Sequence, residues 1–257
     1  MSDKPIVFSD MMMLALREGQ KTQTRRTLKV QPVNPATKFL TGPPYNKSDW
    51  IWPTKSAGCT IVSNRNTAPA RYLEDFPLPY AVGDHLYVRE SYYQFGHWEP
   101  VQGAKTKGGK QKWGFIADRP DVLFEAPENC RLGRHHSDSA TPAWHKRLGR
   151  FMPRAASRMT LIVTDVRVQR LHEISIDDAV AEGIEDVTRE IACRDPSARF
   201  WKRYRDGGWN GYVDDPIGSY ASLWTEINGA GSWEANPWVQ AISFTVHHCN
   251  ISKMERP

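Results

Sequence analysis

The stretch Glu18-Gly19-Gln20-Lys21-Thr22-Gln23-Thr24-Arg25-Arg26 brings an amine, two hydroxyls and two guanidinium groups together directly after a helix stop. Cations at this density grip phosphates or the polar edges of bases. Ser9 or Asp10 can cap an N-terminus, Met11 to Leu16 supply an apolar helical face, and Gly19 suits the left-handed position that closes a helix. The chain that follows is expected to be extended. The two-residue strand period then sends Lys21, Gln23 and Arg25 to one side and Thr22 and Thr24 to the other. A twist or bulge just after the turn is needed to bring Lys21 and Thr24 into one cleft. Without it, the same residues read as a solvated basic edge strand.

A second set of polar residues ends the run Pro79-Tyr80-Ala81-Val82-Gly83-Asp84-His85-Leu86-Tyr87-Val88-Arg89-Glu90. Gly83-Asp84 is a turn signal, and Leu86 and Val88 alternate with His85, Tyr87 and Arg89 as in a half-buried strand. Arg89 and Glu90 finish it on opposite faces, where Arg89 suits bidentate grip of a carbonyl or phosphate. Between Val101 and Arg158 there are twelve Lys or Arg against five Asp or Glu, a local +7 in a chain whose formal charge is +5. Basicity concentrated in this way attracts polyanions, although a solubilising surface has the same composition.

With 257 residues, 40% hydrophobic and 25% charged, the chain is long enough for one large domain carrying insertions. No apolar run approaches the roughly 20 residues of a membrane span, so no membrane partner is expected. The start, Met1-Ser2-Asp3-Lys4-Pro5, lacks the layout of a secretion signal, and a cytoplasmic location is expected. Cys59, Cys130, Cys193 and Cys249 are far apart and are expected to be reduced. Cys130, His135, His136 and His145 match no zinc-ligand spacing. No metal or other cofactor is expected, and a monomer is favoured.

Several elements must position these residues. Pro5 to Phe8 reads as a short strand. Prolines and tryptophans interrupt 31–78, which reads as an irregular insertion, a lid or a decoration. A second irregular insertion is expected over about 96–150, with a mobile Lys105-Thr-Lys-Gly-Gly-Lys110 tract. Met159 to Leu171 is the strongest strand signal, bent or broken near Thr164-Asp165. Ser175 caps a helix with Asp177 and Asp178 at its positive end and Gly183 just past Glu182. Glu182 thus sits where the helix dipole disfavours a carboxylate, which suggests another reason for its presence. Asp186 to Arg205 reads as a basic, aromatic helix, and Tyr220, Leu223, Trp224 and Ile227 recur at helical spacing as core. Trp238 to Val246 is a last strand, and the tail from His247 is expected to fray.

In that order, the helix, the Gly-x-Lys-Thr-x-Thr-Arg strand, the Pro-Tyr-x-Val-Gly-Asp and Val-Arg-Glu strand, Met-Pro-Arg-x-Ala-Ser-Arg, the long strand, a helix ending in Ala-Glu-Gly and the Asn-Pro-Trp-Val strand resemble the ASCH domain. This is a branch of the PUA-like superfamily, and the longer phage and prophage members are the most similar. The resemblance implies an α+β fold, a PUA-like mixed β-barrel with flanking helices, as a single domain over 1–257 with the two insertions. ASCH amidohydrolases that remove the acetyl group from N4-acetylcytidine use a lysine, a threonine and a glutamate. The matching positions are Lys21, Thr24 and Glu182, with Glu185 as the alternative carboxylate. Thr22, Arg25, Arg26, Arg89, Glu90, Arg154 and Arg158 form the expected binding set. A desolvated Lys21 would act as base towards Thr24 or water, Glu182 would protonate the leaving amine, and an arginine would hold the oxyanion. The expected partner is RNA or a modified nucleoside. The function is either metal-independent deacylation at N4 of cytidine, non-catalytic binding of RNA or a modified base, or ribonuclease activity.

Overall fold

The computed structural model describes residues 3–29, 31, 78–134, 138–191, 195, 197–205 and 211–254. The first expected insertion, apart from its end residues 31 and 78, lies outside them, as do Cys59, Cys193, His135 and His136. In chain order the elements are β1 (Asp3–Val7), α1 (Asp10–Arg17), β2 (Gln23–Thr27), β3 (His85–Arg89), β4 (Tyr92–Lys105), β5 (Gln111–Leu123) and β6 (Ala143–Arg147). These are followed by β7 (Thr160–Arg170), α2 (Ile176–Ala181), β8 (Trp201–Lys202), β9 (Tyr212–Val213), α3 (Pro216–Asn228) and β10 (Trp238–His247). The protein is a mixed α+β fold dominated by sheet, and no sheet among the described residues closes into a barrel. No helix among them is long and apolar enough to cross a membrane.

Two compact units divide the chain. The first comprises Met1–Leu14, His85–Leu161 and His247–Pro257. Within it β1 and β3 pair in parallel from Asp3↔His85 to Val7↔Arg89. The expected half-burial of β3 does not hold: His85 and Tyr87 are buried along with Leu86 and Val88, because both faces of this strand are covered.

The stretch expected to be irregular from residue 96 is instead mostly a three-stranded antiparallel sheet in the order β5-β4-β6. Gly96 is required there, since a Cβ would stand 2.1 Å from the Ile116 carbonyl oxygen. The Lys-Gly tract forms the connecting turn, closed by Thr106 N–H to the Lys110 carbonyl and Gly109 N–H to the Thr106 carbonyl. One face of the sheet stacks Trp98, Phe115 and His145 edge to face, with centroids 5.4 to 6.1 Å apart. Arg147 lies 4.1 Å above the Phe115 ring, and Arg134 lies 4.3 Å above Trp113. The strands were hidden in the sequence because their aromatics alternate with Lys, Gly and Asp rather than with aliphatic residues.

The second unit comprises Ala15–Asp84 and Ile162–Val246. In it β7, β10 and β2 lie side by side in that order. The β10–β2 pairing is antiparallel, from Val239↔Thr27 to Ser243↔Gln23. The two sheet faces differ. Val239 joins Leu171, Ile174, Ala179, Tyr220, Leu223 and Trp224 in the core beneath α2 and α3, whereas Trp238 packs with Leu28 and Val168. Asp215 caps α3 through the Ile217 and Gly218 amides, with Pro216 at the first helical position. Ile227 is the exception in the expected helical stripe and is exposed.

The segment expected as a basic helix over 186–205 is not one. Its described residues hold a 3-10 turn at Thr188–Glu190 and the two-residue strand β8, which pairs with β9 further along the chain. Phe200 N–H donates to the Thr188 hydroxyl, and the side chains of Trp201 and Tyr204 pack on the core, so tertiary contacts override helix propensity.

The C-terminal tail is also ordered where described. Ile251 is buried, and the Asn250 amide donates to the carbonyls of Arg154, Ala155 and Ser157. Asn250→Ala should therefore lower stability by about 1 kcal/mol in urea unfolding, through the loss of the bonds that tie the tail to the carbonyls of Arg154, Ala155 and Ser157. A fraying tail would show no change.

Candidate functional site

Lys21 lies two residues ahead of β2, where the chain crosses the C-terminal end of α2. The local reason is a pair of terminators. Gly19, at φ 72°, turns the chain out of α1, and the amides of Gln20 and Lys21 both return to the Ala15 carbonyl. Gly183, at φ 81°, ends α2 with no room for a side chain: a Cβ there would stand 2.8 Å from that of Lys21 and 2.9 Å from that of Ala15. The Thr22 N–H then donates to the Ala181 carbonyl and Lys21 Nζ to the Glu182 carbonyl at 2.7 Å, so both satisfy carbonyls at the helix end.

The same Nζ donates to Glu182 Oε2 at 2.8 Å. Arg25 Nη1 donates to Glu182 Oε1 at 3.1 Å and to Gln23 Oε1 at 2.5 Å, and Arg25 Nη2 to Asp178 Oδ2 at 2.7 Å. Gln23 Nε2 donates to Asp178 Oδ1 at 3.0 Å and to the Ser243 hydroxyl at 3.1 Å, and Arg167 closes the rim with 2.8 Å to Asp178 Oδ1. The Tyr220 hydroxyl hydrogen-bonds Glu182, and the Arg25 guanidinium lies 5.9 Å from the Tyr220 ring centre. Lys21 and the Arg25 side chain are fully buried and Glu182 is 2% exposed.

Burial pushes the Lys21 amine below its ordinary value, with the Glu182 carboxylate opposing that fall and Arg26 and Arg25 adding to it. Burial also raises the Tyr220 phenol well above its ordinary value, helped by Glu182, so Tyr220 is a neutral donor. For Asp178, burial alone would raise the carboxyl. Hydrogen bonds from Arg167 and Gln23 and the charges of Arg25 and Arg167 outweigh it and lower the value to about 2.

The structure thus brings Lys21, Arg25 and Glu182 into one cluster. Thr24 is buried, but on the opposite face of β2 from Gln23 and Arg25, paired across the sheet with Ile242. Arg26 shares that opposite face, as the register partner of Gln240. Thr22 is exposed and engages through its backbone.

Of the remaining expected residues, Arg89, Glu90, Arg154 and Arg158 lie in the first unit and Glu185 in the second. Glu90 and Arg158 pair bidentately at 3.0 and 2.7 Å, with the Arg158 guanidinium 3.7 Å from the Phe124 ring centre. Arg89 donates to the Arg150 carbonyl and the Tyr87 hydroxyl, and Arg154 pairs with Asp3. Glu185, the alternative carboxylate, binds Lys202 at 2.9 Å.

Asp178, Gln23, Arg167, Tyr220 and Ser243 complete the cluster and were not singled out as site residues from sequence. Asp178 had a sufficient local explanation as an acid in a helix first turn. The shared face of Lys21, Gln23 and Arg25 was the one available signal.

The chain matches no protein-family model, no curated protein and no solved structure.

Two predictions come from this geometry. A lowered carboxyl value confers stability that is fully present above pH 3.8 and is lost as pH falls towards about 2. The shift is worth roughly 2 kcal/mol, and Asp178→Asn should flatten that part of the acid unfolding profile. Gly183→Ala should destabilise by more than the roughly 1 kcal/mol that such a change gains at a compatible site, measured as a lower urea midpoint, because both its φ and its packing exclude a methyl group.

Proposed function

We propose that the protein is an ASCH-type member of the PUA-like superfamily that recognises RNA or a modified nucleoside. The order α1, β2, β3, β7, α2, β10 and the motifs these elements carry support the class. The observation that carries nucleic-acid recognition is the sheet β5-β4-β6 with the turns and segment around it up to Arg158, a stretch in which the chain's positive charge is concentrated and guanidinium groups stack on aromatic rings: Arg147 on Phe115, Arg134 on Trp113 and Arg119 on Phe95. Cations that follow a phosphate backbone and rings beside which bases stack are the two components of single-strand binding.

Anisotropy titrations of short single-stranded RNA and DNA over a range of salt test this reading. The logarithm of affinity should fall against the logarithm of salt with a slope of about −0.7 for each phosphate contacted. Arg119→Glu and Arg134→Glu should each make the slope shallower. Affinity independent of salt would contradict it.

A second reading, amide hydrolysis on an acylated cytidine, is favoured by one contact: the Lys21 amine, pushed down by burial, lies 2.8 Å from Glu182. In this reading the neutral Lys21 amine takes a proton from the attacking water and passes it across the 2.8 Å contact to the Glu182 carboxylate, which delivers it to the leaving amine as the C–N bond breaks, while Arg25 holds the oxyanion. Loss of ultraviolet absorbance from N4-acylated cytidines should follow, reduced at least about a hundredfold by Lys21→Ala and by Glu182→Gln. No turnover across a series of acyl groups would reject hydrolysis and leave the binding reading intact.

A further inference from the structure

We propose that His97 is a proton-operated latch: clamped between Asp118 and Glu99, its charged ring holds β4 to β5 and so keeps in place the arginine-covered rings on the other face of that sheet. The latch rests on the geometry of three side chains, and only its consequence for polyanions rests on the nucleic-acid reading.

His97 Nδ1 lies 3.1 and 2.9 Å from the two carboxylate oxygens of Asp118, and Nε2 lies 3.2 Å from Glu99 Oε1. An ionised carboxylate only accepts, so both ring nitrogens must carry a proton for both contacts to be hydrogen bonds. A neutral imidazole has one such proton, and the arrangement therefore requires the imidazolium. The bonds to Asp118 and Glu99 raise the ring above its ordinary value of 6.5, outweighing the opposing effect of burial. Lys146 of β6 lies on the same face by strand alternation and is bonded to Asp10, while Arg119, next to Asp118, lies 4.5 Å from the Phe95 ring centre. His145 packs on the opposite face with Trp98. The His97 side chain is 19% exposed, so it exchanges protons with solvent without any opening of the sheet.

The place of the latch gives it leverage. Register shifts between Gln94 and Gly96 and between Pro100 and Lys105 interrupt the β4–β5 ladder, which leaves the five pairs from Gly96↔Ala117 to Pro100↔Trp113 as a separate block. His97 belongs to that block as the partner of Ile116, and its bond to Asp118 ties one strand to the other. On the opposite face, Trp98 and its register partner Phe115 carry the Arg147 guanidinium at 5.1 and 4.1 Å. Loss of the proton turns one ring nitrogen into a lone pair facing a carboxylate and leaves two negative charges unbalanced, so an attraction across the strands becomes a repulsion. Because the folded value is raised, the latch is fully closed below pH 6.5 and is lost as pH rises through that raised value. On the nucleic-acid reading, the same rise makes the sheet more negative and weakens its hold on a polyanion.

The test is magnetic resonance of the full chain at constant salt. It follows the His97 ring carbons against pH, together with the hydrogen-exchange protection of the amides of 113–117 relative to free peptide at each pH. His97 should titrate above 6.5 by about one pH unit or more, and protection should fall at least about threefold across that titration. Asp118→Asn should bring the ring back towards 6.5, and His97→Gln, which keeps a donor and cannot titrate, should hold protection constant over the same range. Should either variant fail to fold, the two measurements on the unaltered protein decide alone. Titration of His97 at or below 6.5, or protection that does not follow it, overturns the latch. Such a failure is separable from failure of the nucleic-acid reading, because neither measurement contains a ligand.

Discussion

The second unit depends on the burial of two cations against two carboxylates. Lys21 and Arg25 could not be placed in a protein interior alone, and neither could Glu182 and Asp178, since each bare charge would cost several kcal/mol. Together they share a set of short hydrogen bonds that joins the strand β2 to both ends of the helix α2: Asp178 in its first turn and Glu182 at its last. Asp178 can occupy that turn because Ser175 caps the helix through the Asp178 amide while three side chains hold its carboxylate. Glu182 is tolerated at an unfavourable helix end because the Lys21 amine meets both its carboxylate and its carbonyl.

That constraint divides the motif. Once Gln23 and Arg25 are committed to α2, the pleat sends Thr24 and Arg26 to the other side of the sheet. A sequence motif that appears as one constellation therefore serves two surfaces. One is a buried network of ions in which Lys21 and Arg25 share the carboxylates of Glu182 and Asp178. The other is the face on which Trp238 packs with Leu28 and Val168.

The sequence disclosed what local chemistry determines. The stops at Gly19 and Gly183, the Ser175 cap and the long strands β7 and β10 were legible, because each is written within a few neighbouring residues. The partnership of Lys21 with Glu182 spans 161 positions and came only through resemblance to a family. Where the reading failed, tertiary structure supplied what periodicity lacked. β4 and β5 are long exposed strands whose polar alternation passes for a loop, and β8 with β9 is two residues long and exists only as a pair. Ile251, a lone aliphatic in a polar tail, is buried with no local pattern to announce it.

The first unit carries the chain's excess positive charge and its arginine-covered rings, while the second carries the buried ion cluster. A double-mutant cycle on Lys21→Met and Glu182→Leu, followed by urea unfolding, tests that cluster most directly. Each single change should cost about 3–5 kcal/mol by leaving a buried charge without its partner, and the double variant should recover much of the loss. Additive losses, or single changes that cost almost nothing, would contradict a fold organised around this pair.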